Sequence, residues 1–175
     1  MFETLLTTIV NAVIGFQRST GFPHWVNVHS AAWPAGETLH FIGLCLLIGA
    51  VGVFDLRLLG FAKGLPFRAL QRLLPWGVLG FVICLGTGVG FVLGNAFAPG
   101  EYVRNIAFIW KMGLIIFAGL NLLVFHVSGL ARRVEQLGPD DAAPLPARMI
   151  GAFSLMAWIG VIFFGRFLPV LGDAF

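Results

Sequence analysis

Between Leu39 and Gly60 the chain reads LHFIGLCLLIGAVGVFDLRLLG, an apolar run interrupted only by His40 until Asp55 and Arg57 close it. A helix needs about 20 apolar residues to cross the hydrocarbon of a bilayer. This run, extended back to residue 36, meets that length, so the first span is expected over 36–59. Pro34 suits the first turn of such a helix and Glu37 suits its positive end. Three further runs repeat the pattern. They are LLPWGVLGFVICLGTGVGFVLGN, RNIAFIWKMGLIIFAGLNLLVFH and MIGAFSLMAWIGVIFFGRFLPVLG, which place spans over about 73–95, 104–128 and 149–172. The expected fold is all-α, an integral membrane four-helix bundle forming a single membrane domain over 1–175.

Composition agrees with lipid as the solvent. Of 175 residues, 58% are hydrophobic and 11% charged, too little charge to coat a water-exposed domain of this size. There is no basic tail and no interleaving of aromatic and basic residues, so nucleic acid is not an expected partner. Cys45 and Cys84 stand in apolar runs without CxxC spacing and read as buried thiols.

The N-terminal stretch lacks the basic start of a secretory signal. Phe2, Leu5, Leu6, Ile9, Val10, Val13 and Phe16 recur at helical spacing, against Glu3, Thr4, Thr7, Thr8 and Asn11. Residues 2–16 therefore read as an amphipathic interfacial helix. Residues 17–33 read as a loop, with Trp25 and Trp33 at the depth of the head groups.

Charge placement orients the bundle. Arg57, Lys63, Arg68 and Arg72 cluster around one loop, and Arg132, Arg133 and Arg148 around another. The opposite side holds Arg18 and Arg104 alone, while Lys111 and Arg166 fall inside spans. The positive-inside rule then puts loops 60–72 and 131–147 in the cytoplasm, with the N-terminus, loop 96–103 and C-terminus outside. The expected location is a bacterial inner membrane.

Ionisable groups at bilayer depth are costly unless paired or wet, so they mark candidate sites. At about 1.5 Å per residue, His40 lies ~6 Å, Lys111 ~10 Å and Arg166 ~9 Å below the outer ends of their helices. Glu37 stands one turn above His40 on the same face. Three helices thus bring polar groups to one layer. Gly86, Gly88 and Gly90 of the second span fall at the same depth and leave room for a neighbouring backbone or a flat cofactor. The expected cofactor site is His40, Lys111, Arg166, Glu37, Gly86, Gly88 and Gly90, with His40 as the one candidate metal ligand. His126 lies ~22 Å lower than Lys111 and cannot share this site. Asp55 and Arg57 read as an interface ion pair or anchor.

The runs ETLHFIGLCLLIGAVGVFDLRLLG and NIAFIWKMGLIIFAGLNLLVFH, and more loosely WIGVIFFGR, resemble a family of small bacterial four-helix inner-membrane proteins without an assigned activity. The resemblance covers most of residues 33–170. It carries Glu37, His40, Asp55, Arg57, Asn105, Lys111, Asn121, His126 and Arg166 as matching positions. The bundle is more distantly similar to copper resistance D-type domains and to four-helix b-type cytochromes. A haem held by two histidines would draw its second ligand from His24, His29 or a partner chain.

Three functions follow. One is a redox subunit for electron transfer, holding haem b or a quinone in the outer cavity, with Lys111 and Arg166 against propionates or a quinone carbonyl. Another is a transporter for a metal or small anion. The third is a non-catalytic anchor or assembly subunit of a larger membrane complex. Other membrane subunits or further copies of the chain are the expected partners besides lipid. No nucleophile–base arrangement, phosphate loop or metal-protease spacing is present.

Overall fold

The computed structural model describes residues 1–95 and 100–171. Residues 96–99 of the expected outer loop, and Gly172 at the expected end of the fourth span, lie outside the described residues. Every regular element among the described residues is a helix, in the order α1 (Phe2–Thr20), α2 (Phe22–Val28), α3 (Ala32–Leu59), α4 (Phe67–Gln71), α5 (Leu74–Gly94), α6 (Glu101–Arg104), α7 (Ile106–Val127), α8 (Leu130–Glu135) and α9 (Leu145–Arg166). Four helices are long and apolar enough to cross a membrane: α3, α5 with the short α4 before it, α7 and α9. Most residues of their apolar stretches face outward, Ile116, Leu120, Leu123 and Val127 of α7 among them. With every helical backbone group bonded internally, such apolar flanks suit lipid.

α3 packs on both α5 and α9, and α9 in turn on α7. The α3–α5 crossing is the closest. A Cβ on Gly80 would stand 2.5 Å from the Gly43 carbonyl oxygen and 2.6 Å from the Leu47 nitrogen. One on Gly43 would stand 2.8 Å from Cys84 Sγ. Small residues let two backbones touch here, where dispersion rather than water exclusion holds helices together.

Boundaries differ from the sequence expectation in several places, one of them the start of α3 at Ala32 rather than 36. α1 continues to Thr20, where Gly21 (φ 64°) ends it, and α2 fills most of the expected 17–33 loop. The proline in α2's first turn is tolerated because its missing N–H has no helical partner there. α1 buries Val10, Val13 and Gln17, while Leu5, Ile9 and Phe16 stay exposed. Gln17 Nε2 donates to the carbonyls of Val92, Leu93 and Asn95 at 3.0–3.3 Å, supplying donors to the end of α5. Finally, α9 starts at Leu145 rather than 149 and ends at Arg166. Pro144 and Pro146 sit at its N-cap and first turn, where proline begins a helix instead of breaking it. Arg166 therefore occupies the last turn of α9, not a position six residues inside it.

The ends of the bundle differ. The end carrying the basic loops is closed by a core of Phe54, Leu58, Phe67, Leu70, Phe125, Leu130, Val134, Ala143 and Ala147. Arg57 is fully buried inside it. Its Nε donates to Leu65 O at 2.9 Å, and its Nη2 to Gly138, Pro139 and Asp141 carbonyls at 3.2, 2.6 and 3.1 Å. Its guanidinium carbon lies 4.2 Å from the centre of the Phe67 ring. Gly64 N also donates to Pro139 O, so Arg57 and Gly64 stitch the two basic loops together. The expected Asp55–Arg57 ion pair is not formed. Two residues apart on a helix, the side chains diverge, and Asp55 Oδ2 has no partner among the described residues.

Candidate functional site

At the α1 end the four long helices separate around a cavity of about 300 Å³. Trp33, Glu37, His40, Phe41 and Leu44 of α3 line one side, and Lys111 of α7, with Val161, Ile162, Gly165 and Arg166 of α9, the other. Phe91 of α5, Tyr102 of α6, and Leu168 and Pro169 just past α9 complete the wall. The four ionisable residues expected at one depth thus line one space. Glu37 and Arg166 are exposed at its rim, and His40 and Lys111 are half-buried.

Each is positioned by local structure. Glu37 Oε1 accepts from Trp33 Nε1 one turn back on α3, at 3.1 Å. The Trp33 ring lies 5.1 Å, centroid to centroid, from Phe91, and the His40 ring 5.5 Å from it, so Phe91 joins the two α3 side chains from α5. His40 Nδ1 is 2.7 Å from Thr87 Oγ1 on α5. Lys111 runs beside Gly165: a Cβ there would stand 3.6 Å from its Nζ. Asn105 caps α7, accepting from Ala107 N at 2.8 Å, and ties it to the end of α9 by donating to Leu168 O at 2.9 Å.

Among the described residues, Tyr102 is the one titratable group of the lining outside the long helices. Burial first, and the Glu37 carboxylate second, push its phenol up to about 12. Both disfavour the phenolate, so Tyr102 is neutral at physiological pH.

Gly86, Gly88 and Gly90 do not line the cavity, and a Cβ on any of them meets nothing within 4 Å. The α5 glycines in close contact are Gly77 and Gly80, which face α3 rather than the cavity, and Gly94, which faces α2. His126 is exposed near the basic end of α7, its Nδ1 2.9 Å from Leu122 O. Asn121 donates to Ile150 O at 2.9 Å, a bond between α7 and α9. Among the described residues no group of three or more His, Cys, Asp or Glu comes together to hold a metal ion. Among the described residues, His40 is the only imidazole lining the cavity.

Sequence reading missed Trp33, Phe91 and Tyr102 as walls of the site, and Thr87 as the partner of His40. Thr87 carried one signal: a hydroxyl among the glycines of α5, at the depth of His40.

Compared with family models, curated proteins and solved structures, the chain finds no match.

Proposed function

We propose that the protein is a quinone-binding membrane subunit, taking the head group of a quinone-class lipid into the cavity at the α1 end. The observation that carries this reading is the convergence of Glu37, His40, Lys111 and Arg166 from three helices on one aromatic-walled space of about 300 Å³. That volume lies at the small end of ligand sites and suits a single substituted ring. Trp33, Phe41 and Phe91 offer ring faces and edges for stacking. Lys111 and Arg166 donate charge-assisted hydrogen bonds to ring oxygens. A bound quinone supplies reversible two-electron, two-proton chemistry; the chain's own residues bind and orient it. Haem b fits the donor set less well, because His24 and His29 on and just after α2 do not reach the lining.

The same reading places the protein in a bacterial inner membrane with both termini outside. Its support is the seven cations gathered at the basic end, from Arg57 to Arg148. Labelling of Lys63→Cys by an impermeant reagent from the outer side would overturn that orientation.

Quinone extracted from protein purified in mild detergent tests the site. About one quinone per chain is expected. His40→Ala and Lys111→Met should each lower retention about tenfold, the loss of roughly 1.4 kcal/mol per hydrogen bond to a charged or polar oxygen. Quinone-free wild-type protein, with His40→Ala assembling and behaving as wild type, would sink the reading and leave an anchor subunit in its place.

A further inference from the structure

The His40–Thr87 contact fixes more than the ring's position. Thr87 Oγ1 lies 2.7 Å from Ile83 O, 3.3 Å from Cys84 O and 2.7 Å from His40 Nδ1. A hydroxyl has one proton to give, and a carbonyl oxygen has none. Two oxygens 2.7 Å apart repel unless a proton stands between them, so the Thr87 proton goes to Ile83 O. Only lone pairs are left for His40. Nδ1 must then carry the imidazole proton and donate it to Thr87, and in a neutral ring Nε2 is bare. Nε2 has no partner among the described residues.

The cavity therefore sets an acceptor, Nε2, among strong donors, Lys111 and Arg166. An oxidised quinone has two carbonyl oxygens and nothing to donate. It satisfies the cations but sets a lone pair against the bare nitrogen. A quinol offers a hydroxyl proton to Nε2 and keeps oxygen lone pairs for a cation. Resting on the quinone reading above, we propose that the cavity selects the reduced, quinol form, and that Thr87 is the positioning residue that imposes this by holding the His40 tautomer.

Dissociation constants of a decyl-substituted benzoquinone and of its quinol, measured on the full chain in lipid nanodiscs, test this. The wild type should bind the quinol about tenfold more tightly, one extra hydrogen bond, which raises the midpoint potential of the bound couple by about 30 mV. Thr87→Val removes the acceptor for Nδ1–H and lets the proton move to Nε2, so the ratio should fall to near one. Thr87→Ser keeps the hydroxyl and should keep the ratio. Equal binding of both forms by the wild type overturns the selectivity, and needs no variant to assemble. An unchanged ratio in Thr87→Val overturns the role of Thr87. Either result leaves quinone binding standing; failure of the wild type to bind either form ends that reading itself.

Discussion

Arg57 and Lys111 are both cations carried by apolar helices, and their surroundings are opposite. Arg57 is sealed, with Nε and Nη2 bonded to four main-chain carbonyls and a phenylalanine ring against its face. Those carbonyls belong to loops that have left helical geometry, so each needs a donor from elsewhere. Arg57 is a fastener, and its planar fork is what allows one side chain to hold two loops. Lys111 instead faces a space that holds an imidazole, a second cation, a carboxylate and aromatic edges. What separates a structural cation from a candidate binding cation is therefore not depth or charge. It is whether main-chain acceptors or a void surround the head group.

The largest expected effect falls at the sealed end. Arg57→Met removes the side-chain donor shared by the Leu65, Gly138, Pro139 and Asp141 carbonyls and so unties the two basic loops, at roughly 1.5–3 kcal/mol per hydrogen bond to a charged group. Thermal unfolding in detergent should show a loss on the order of 3 kcal/mol or more. Arg57→Lys should recover only part of it, because an ammonium cannot span the two loops as a fork does. Lys111→Met, by contrast, should change stability by less than about 1 kcal/mol while lowering quinone retention. Equal stability losses at the two sites would erase the contrast.

A smaller effect separates two glycines of α5 that look alike in sequence. Gly80→Ala places a methyl against the Gly43 carbonyl and the Leu47 nitrogen, backbone atoms that cannot swing aside. The helices must part, at about 1–3 kcal/mol as for overpacked cores. Gly88→Ala meets nothing within 4 Å and should fall within about 0.5 kcal/mol of the wild type, or stabilise α5 slightly by helix propensity. Thermal midpoints of the two variants, measured side by side, check this.

Those glycines mark the limit of what could be read before the structure. The four long helices were legible because a run of some 20 apolar residues has few alternatives. The meeting of Glu37, His40, Lys111 and Arg166 was legible as depth arithmetic along helices of known rise. Which glycines face a neighbour was not, because that depends on how α5 is rotated against α3, and α5 is apolar on every side. Arg166 was misplaced because the helix was carried on to 172 through an apolar stretch, whereas α9 ends at Arg166; its start was misplaced because Pro144 and Pro146 read as connector, although proline is at home in a first turn. Thr87 was passed over because its value lies in a contact 47 residues away, with His40.

The smallest effect probes whether the α1 end carries its charge as drawn. Tyr102 is the only tyrosine in the chain, so its ionisation can be followed by ultraviolet absorbance without overlap from a second phenol. The midpoint in the folded protein should lie near 12, because burial and then the Glu37 carboxylate oppose the phenolate. Unfolding should return it to about 10, the ordinary value. The sign for stability follows. Between those two values the unfolded chain has lost the phenolic proton and the folded chain keeps it, so the Tyr102 contribution is complete below about pH 10 and disappears as pH rises through about 12. Glu37→Gln removes the lesser of the two causes, so the midpoint should drop modestly and remain above 10. A midpoint unmoved by Glu37→Gln would mean that the Glu37 charge does not reach Tyr102, leaving burial as the cause of the rise.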